Sequence, residues 1–590
     1  MSLKRSNAQE GAMGVRDLVG SQRSIPFLLR LTVPAQMAAD QLSQLWHRSP
    51  RPMPGIRFDR DVPVTMRDGA RLMTNVLRPE PDGRYPVVMS VTPYGKDVLP
   101  DRIQMLLMRL SGVRFGKLDC SNWTGFEAPD PLFWTTAGYA VVQADARGMH
   151  KSEGQAGVLS PRDAEDYYEL IEWAARQSWS SGAVGLIGVS YLAMSQWCVA
   201  ALRPPSLKAI CPWEGVTDLL RELGYQDGVP ETGFVSTWWR FRMKRGHNRR
   251  FPMAEDFPAD RDRHPLDDAY WAAKRPALER IEVPALICAS WSDHGLHTRG
   301  SLEGFERIGS AQKWLYTHGG RKWETFYASE TRDLQRRFFD HFLKGEPNGW
   351  ERTPRVRLAV RRSRDVADVR TEPNWPLPGV RYVPLYLDAS AGTLAPQAPL
   401  DESIVRYAAR GGSGDRASFV YRFERDAEIT GGMTLKLWVS TSQGDDIDLF
   451  VALRKFDALG NEVVFYGYNG FARDGVAKGW LRVSHRELDD ERSRPGRPWH
   501  THRQRQPVQP DEIVPVEIEI LASSTYFEAG AVLQLDVLGH DAAKYPAFKH
   551  GRTVNAGEHS IHAGGRYPAM LLTPFSRGGW MPTRSALGGA

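Results

Sequence analysis

The chain has 590 residues, 42% hydrophobic and 25% charged, with a net charge of +6. That length exceeds what one hydrophobic core supports and predicts several domains. So mild and dispersed a charge gives no basis for a nucleic-acid partner, and no run of about 18 apolar residues offers a membrane span.

The opening stretch, residues 1–55, lacks the apolar centre of a signal peptide and reads as an N-terminal extension, with an amphipathic helix expected over Ile25–Trp46. Val62–Met66 and Leu72–Leu77 predict a hairpin around Arg67-Asp68-Gly69, whose glycine can take positive φ. Pro86–Val91 is an unbroken apolar run of the parallel-sheet kind and leads into Thr92-Pro93-Tyr94. A second such strand covers Gly138–Asp145, and a helix follows over Pro161–Ser178. The strand Val184–Gly188 meets Val189-Ser190-Tyr191, a helix runs on to Leu202, and another strand covers Leu207–Cys211. Residues 216–280 break the alternation. They are helical, aromatic and basic, and read as an inserted cap, with the charges of Arg240–Arg250 on a solvated face. Strands return at Val283–Ala289 and Lys313–His318, before a helix at Asp333–Leu343. Strands alternating with helices predict an α/β domain built on a mostly parallel sheet. From residue 351 the pattern has period two, as in Met433–Val439, Asp448–Leu453, Val514–Ile520 and Val532–Val537, which predicts an antiparallel jelly roll. The polar stretch 489–512 is expected to be a long mobile loop, with His500 and His502 solvated. The expected division is therefore an extension (1–55), an α/β core in two parts (56–215 and 281–350), the cap (216–280) and the jelly roll (351–590).

The chemistry centres on Gly188-Val189-Ser190-Tyr191-Leu192. A buried strand turning sharply into a helix is the context of a nucleophile elbow, with Ser190 at its apex and the Tyr191 N–H as an oxyanion donor. Leu192 departs from the usual Gly-x-Ser-x-Gly. In such folds the acid and then the base follow the serine, each past the end of a later strand. Asp293 follows Ala285–Ala289, and His318 ends Lys313–His318, so the expected triad is Ser190, Asp293 and His318. His294 and His297 flank Asp293, but a three-residue histidine spacing is weak evidence for metal, and neither follows a later strand. Asp445, Asp446 and Asp448 read as a charged turn rather than a calcium loop. The four cysteines, Cys120, Cys198, Cys211 and Cys288, form no Cys-x-x-Cys pair and suit a reducing, cytoplasmic setting.

The segments Val62–Gly69, Ala144–Gly148 with Ser152 and Gly154, and Gly188–Ala193 resemble the cocaine esterase family, over about residues 58 to 575. That family includes α-amino-acid ester hydrolases, glutaryl cephalosporin acylases and X-Pro dipeptidyl-peptidases. The resemblance implies an α/β-hydrolase domain with an inserted helical cap and a C-terminal jelly roll. It also implies Ser190 as nucleophile, Asp293 as acid, His318 as base and Tyr94 as the second oxyanion donor. Ala193 stands where the family has Gly, and the Gly-Pro-Trp motif that precedes the family's histidine is missing before His318. The expectation is a cofactor-free and metal-free serine hydrolase of small acyl esters, with homo-oligomers open. Amidase or X-Pro aminopeptidase activity is the alternative, with Glu214, Asp218, Glu222 and Asp227 as candidate anchors for a substrate amine. A second alternative is a binding protein that uses the jelly roll.

Overall fold

The computed structural model describes residues 54–99, 116–412, 414–543 and 548–576. The helix expected at Ile25–Trp46 lies outside them. Among the described residues the N-terminal sheet has ten strands: β1 (Ile56–Thr65), β2 (Arg71–Pro79), β3 (Tyr85–Thr92), β4 (Ala140–Asp145), β5 (Ser180–Val189), β6 (Leu207–Trp213), β7 (Ala285–Ser290), β8 (Lys313–His318), β9 (Val356–Arg361) and β10 (Ala367–Glu372). β1 and β2 form the expected hairpin, with Gly69 at φ +87° donating its N–H to Met66 O at 2.8 Å. Positive φ costs glycine nothing and explains the turn.

β2 pairs antiparallel with β4, and from there the order β4-β3-β5-β6-β7-β8-β9 is parallel throughout. β10 closes the edge antiparallel to β9. A parallel sheet must be covered on both faces, and the pleat sorts its residues accordingly. Val87, Met89 and Val91 of β3 enter one core with Tyr167 and Leu170 of helix α1 (Pro161–Ala175) and Leu192 and Trp197 of α2 (Tyr191–Ala200). Leu302 and Phe305 of α3 (Thr298–Arg307) join the same core. Val88 faces the other side, with Trp323 of α4 (Lys322–Tyr327) and Phe338, Phe339 and Leu343 of α5 (Ser329–Lys344). A capping box between Ser160 and Asp163 starts α1, and Gly345 in the left-handed region ends α5.

Residues 216–280 hold short helices at Phe234–Trp238, Phe257–Arg263 and Ala269–Ala272 and wide turns at Leu220–Gly224 and Trp239–Met243. A two-residue ladder, Tyr225–Gln226 with Val229–Pro230, is a strand pairing that the sequence pattern did not suggest. Edge-to-face contacts of Trp238 with Phe257 and of Phe257 with Trp271 hold the segment together. Of its basic run, Arg240, Lys244, Arg245, Arg249 and Arg250 are exposed, while Arg242 lies over the Phe126 ring at 5.0 Å.

The C-terminal half is mostly antiparallel around a second core that includes Leu435, Leu437, Leu453, Ile518, Leu535 and Val537. Its strands include β11 (Ala427–Thr441), β12 (Asp448–Phe456), β13 (Phe465–Gly467), β14 (Ala472–Asp474), β15 (Ala477–Arg482), β16 (Val514–Phe527) and β17 (Val532–Leu538). Arg361 at the end of β9 pairs with Thr525 of β16, so backbone hydrogen bonding runs unbroken from one half to the other. The Arg361 guanidinium is buried at this seam, donating to Trp291 O at 3.1 Å, Val476 O at 2.7 Å and Ser523 Oγ at 2.8 Å.

The stretch 489–512 differs from the expected mobile loop. Trp499, His500 and His502 are buried in it, and Arg221 donates to His500 O at 2.8 Å. Asp227 lies 3.3 Å from His500 Nδ1 and 3.4 Å from His502 Nε2. A polar composition signals solvation only where partners are lacking; here segment 216–230 supplies them. In the Asp445–Asp448 turn, Asp448 takes both Arg482 nitrogens at 2.8 Å and Asp446 caps the Ile447 and Ser484 N–H groups.

Candidate active site

β5 delivers Ser190 into a strained turn, with φ +58° and ψ −118°, before α2 leaves at once. A non-glycine residue at such angles persists only where its surroundings hold it. Here Ser190 N donates to Trp213 O at 3.1 Å and Val189 N to Glu127 O at 3.1 Å, while Ser190 O accepts from Ala193 N and Met194 N at 2.9 Å. The turn is tight enough that a Cβ on Gly188 would lie 2.4 Å from Leu192 Cβ. Leu192 is accommodated because its side chain points into the core. Ala193 is accommodated because Gly215 faces it; a Cβ there would stand 3.1 Å from that of Ala193. The Tyr191 N–H is among the first of α2, which have no preceding turn to bond.

The ring that reaches the serine is His297, with Nε2 at 3.1 Å from Ser190 Oγ. Its Nδ1 is hydrogen-bonded to Asp293 Oδ2. Asp293 and His297 occupy one turn between β7 and α3, in which Asp293 O accepts from Leu296 N at 3.2 Å and His297 N at 3.3 Å. Four-residue spacing in a turn of this kind puts both side chains on one side.

His318, expected to serve Ser190, is engaged elsewhere. Its Nε2 is 2.9 Å from Glu214 Oε1, and Gly320 N donates to its Nδ1 at 3.2 Å. With Nδ1 accepting, Nε2 carries the proton and donates to the carboxylate, so both ring nitrogens are used. His294 turns away as well, with Nε2 at 3.0 Å from Ala522 O. The Asp-His-x-x-His pattern therefore does not converge.

Lys322, at the start of α4, went unrecognised in the sequence. It is 1% exposed, and its Nζ lies 2.8 Å from Asp293 Oδ2, 2.8 Å from His297 Nδ1 and 3.8 Å from Glu214 Oε2. Among the described residues, Glu214–Cys288–His318 and Glu214–Asp293–His297 each gather three ligand-type atoms within 4.8 Å. The Lys322 ammonium already supplies the positive charge beside these carboxylates, and a second cation would meet its repulsion.

Tyr94 is buried at the start of the loop after β3, where its hydroxyl accepts from Trp238 Nε1 at 3.3 Å and its ring meets that of Tyr191 at 6.2 Å. Burial raises its phenol well above the ordinary range, so it stays protonated. Glu127, also missed in the sequence, is 4% exposed, and its Oε2 has no hydrogen-bond partner among the described residues. Burial pushes its carboxyl up to about 8, against the opposing charges of Lys322 and Arg242. Burial lowers His297, the Lys322 charge lowers it further, and Asp293 opposes both. Burial would raise Asp293, but Lys322 and His297 outweigh it and hold the carboxyl far below the usual range.

The anchors expected for a substrate amine are otherwise occupied. Asp218 binds Arg221 at 3.1 Å and Arg275 at 2.9 Å, Glu222 binds Arg299 at 3.2 Å, Asp227 faces the two histidines, and Glu214 holds His318.

Comparison with known proteins gives the family. Residues 68–321 match the X-Pro dipeptidyl-peptidase (S15 family) profile, and residues 348–572 match the X-Pro dipeptidyl-peptidase C-terminal non-catalytic domain. Cocaine esterase from Rhodococcus sp. (strain MB1 Bresler) is 26% identical, covering 87% of this chain and 98% of that protein. The crystal structure of a CocE/NonD family hydrolase from Staphylococcus aureus superposes with a TM-score of 0.83 at 42% identity, over 88% of this chain and 94% of that one. An α-amino acid ester hydrolase shares the fold, with a TM-score of 0.68 at 16% identity, over 88% of this chain and 97% of that one. This chain belongs to the CocE/NonD and X-Pro dipeptidyl-peptidase (S15) family, and is a serine esterase-type hydrolase.

Proposed function

We propose that the chain hydrolyses small acyl esters through an acyl-Ser190 intermediate, with His297 rather than His318 as the general base. The observation that carries this reading is the continuous relay from Ser190 Oγ through His297 to Asp293. His297 Nε2 takes the Ser190 proton as Oγ bonds to the ester carbonyl carbon. The tetrahedral oxyanion is received by the Tyr191 N–H and the Tyr94 hydroxyl. The imidazolium then gives its proton to the departing alcohol as the C–O bond breaks. Water repeats the sequence and releases the acid. Asp293 fixes the tautomer, with the proton on Nδ1 and a lone pair on Nε2. The inserted segment acts as the cap over the site, and its Trp238 touches both Tyr94 and Tyr191. The ester reading is preferred over aminopeptidase action because all four candidate amine anchors already have partners.

The test is fluorophosphonate labelling, read by mass spectrometry, beside turnover of short p-nitrophenyl esters. Ser190→Ala and His297→Gln should each lose at least about 10³-fold in kcat, and Ser190→Ala should not label. His318→Gln should retain most of its turnover. An inactive His318→Gln beside an active His297→Gln would reverse the assignment.

A further inference from the structure

A triad needs one carboxylate behind its histidine, but here a buried cation stands there too. Lys322 Nζ and His297 Nδ1 both approach the same oxygen, Asp293 Oδ2, and lie 2.8 Å from each other. Asp293 is ionised and can only accept, so both nitrogens donate to it. An ammonium has no lone pair to offer and a protonated Nδ1 cannot accept, so the contact between the two nitrogens is one of parallel donors. We propose that Lys322 is a positioning residue for the base: its ammonium clamps the Asp293 carboxylate, fixes the His297 proton on Nδ1 and opposes a second proton on the ring. The inference rests on the assignment of His297 as base made above.

The surroundings keep Lys322 charged. Burial alone would lower its ammonium, but Asp293, Glu214 and Glu127 more than offset that. The groups that face His297 are Asp293 on its own turn, Lys322 on α4 and Glu214 after β6. Behind them stand His318 against Glu214, Glu127 toward Lys322, and Tyr468 toward Asp293 and Glu231. No partner other than Lys322 brings a positive nitrogen within hydrogen-bond distance of Asp293 Oδ2 among the described residues. The consequence lies in the pH dependence. The imidazolium formed during turnover would sit beside an ammonium, so it gives up its proton to the leaving alcohol readily. In the resting enzyme burial and the same repulsion together keep Nε2 free at pH values where an ordinary histidine is protonated.

The acid limb of kcat/KM reports the protonation of the free base. In the native protein it should fall below the ordinary imidazole value of about 6.5. Lys322→Met, which keeps the stem and removes the charge, should move it up by about one to three units, as expected for a charge this close. Lys322→Arg, which keeps the charge, should leave it near the native position. A native limb at or above about 6.5 would overturn the proposal without any variant, which covers the case of a Lys322→Met protein that does not fold. A uniform loss of kcat in Lys322→Met with an unmoved limb would reduce Lys322 to a structural role and overturn it too. His297→Gln measured alongside separates the two levels. Inactivity there with an unmoved Lys322→Met limb removes the role of Lys322 alone; full activity there removes the triad and this inference together.

Discussion

Glu127 sits where a single charge has leverage. Its carboxyl is neutral below about 8 and ionises above it, facing the Tyr94 phenol. In the proposed mechanism that phenol donates to a developing oxyanion, and a fresh negative charge beside it disfavours that state. Native kcat should therefore decline above about pH 8, and Glu127→Gln should keep its rate into the alkaline range. Profiles recorded from about pH 6 to about 10 decide it, and parallel curves would sink the idea. Neither Glu127 nor Lys322 was legible in the sequence. A carboxylate between Phe126 and Ala128 and a lysine before Trp323 look like surface charges until the fold closes around them. Ser190 was legible because its signal is local: a buried strand, a small residue at 188 and an immediate helix.

At the level of elements, the elbow is the most constrained piece. Gly188→Ala would drive a Cβ to 2.4 Å from Leu192 Cβ, both held by backbone that cannot withdraw without moving Ser190. We expect a loss of about 1–3 kcal/mol in stability and the disappearance of fluorophosphonate labelling; a stable, fully labelled variant would contradict this picture of the turn. The parallel strands were readable from their apolar runs, and Asp293 from its place after β7. The strand-end rule pointed to His318, whereas the ring beside Ser190 Oγ belongs to His297, in the same turn as Asp293. The Asp-x-x-x-His spacing, immediately before α3, was the signal available, since side chains four apart in a helical turn meet. His318 obeyed the rule of position but was claimed by Glu214, a partner just past β6 that no local pattern announces.

On the scale of the whole molecule, the two halves meet through polar groups that have lost their water. His502 is buried between Asp227 and His485, and burial, opposed in part by Asp227, lowers it to about 4. The unfolded chain binds a proton there near about 6.5, whereas the folded chain waits until about 4, so folding becomes less favourable as pH falls through that window. Stability should fall by up to about 1.4 kcal/mol per pH unit from this group, and His502→Asn should flatten the slope between those limits. Denaturant melts at several pH values would show it, and an unchanged slope would exclude His502 as the source. This seam was the least legible part of the sequence. The stretch 489–512 is polar, and its burial depends on Arg221 and Asp227, more than 250 residues away. Arg361 carries a practical consequence for the same seam. Among the described residues its guanidinium makes no ion pair with a carboxylate and is satisfied by carbonyls and hydroxyls gathered from the loop after β7 on one side and the β-domain on the other. A chimera that borrowed its C-terminal half from a relative would have to present acceptors at the positions of Val476 and Ser523, or entomb a charge with nothing to hold. The boundary near residue 350 is a convenient place to cut a gene and an inconvenient place to cut the protein.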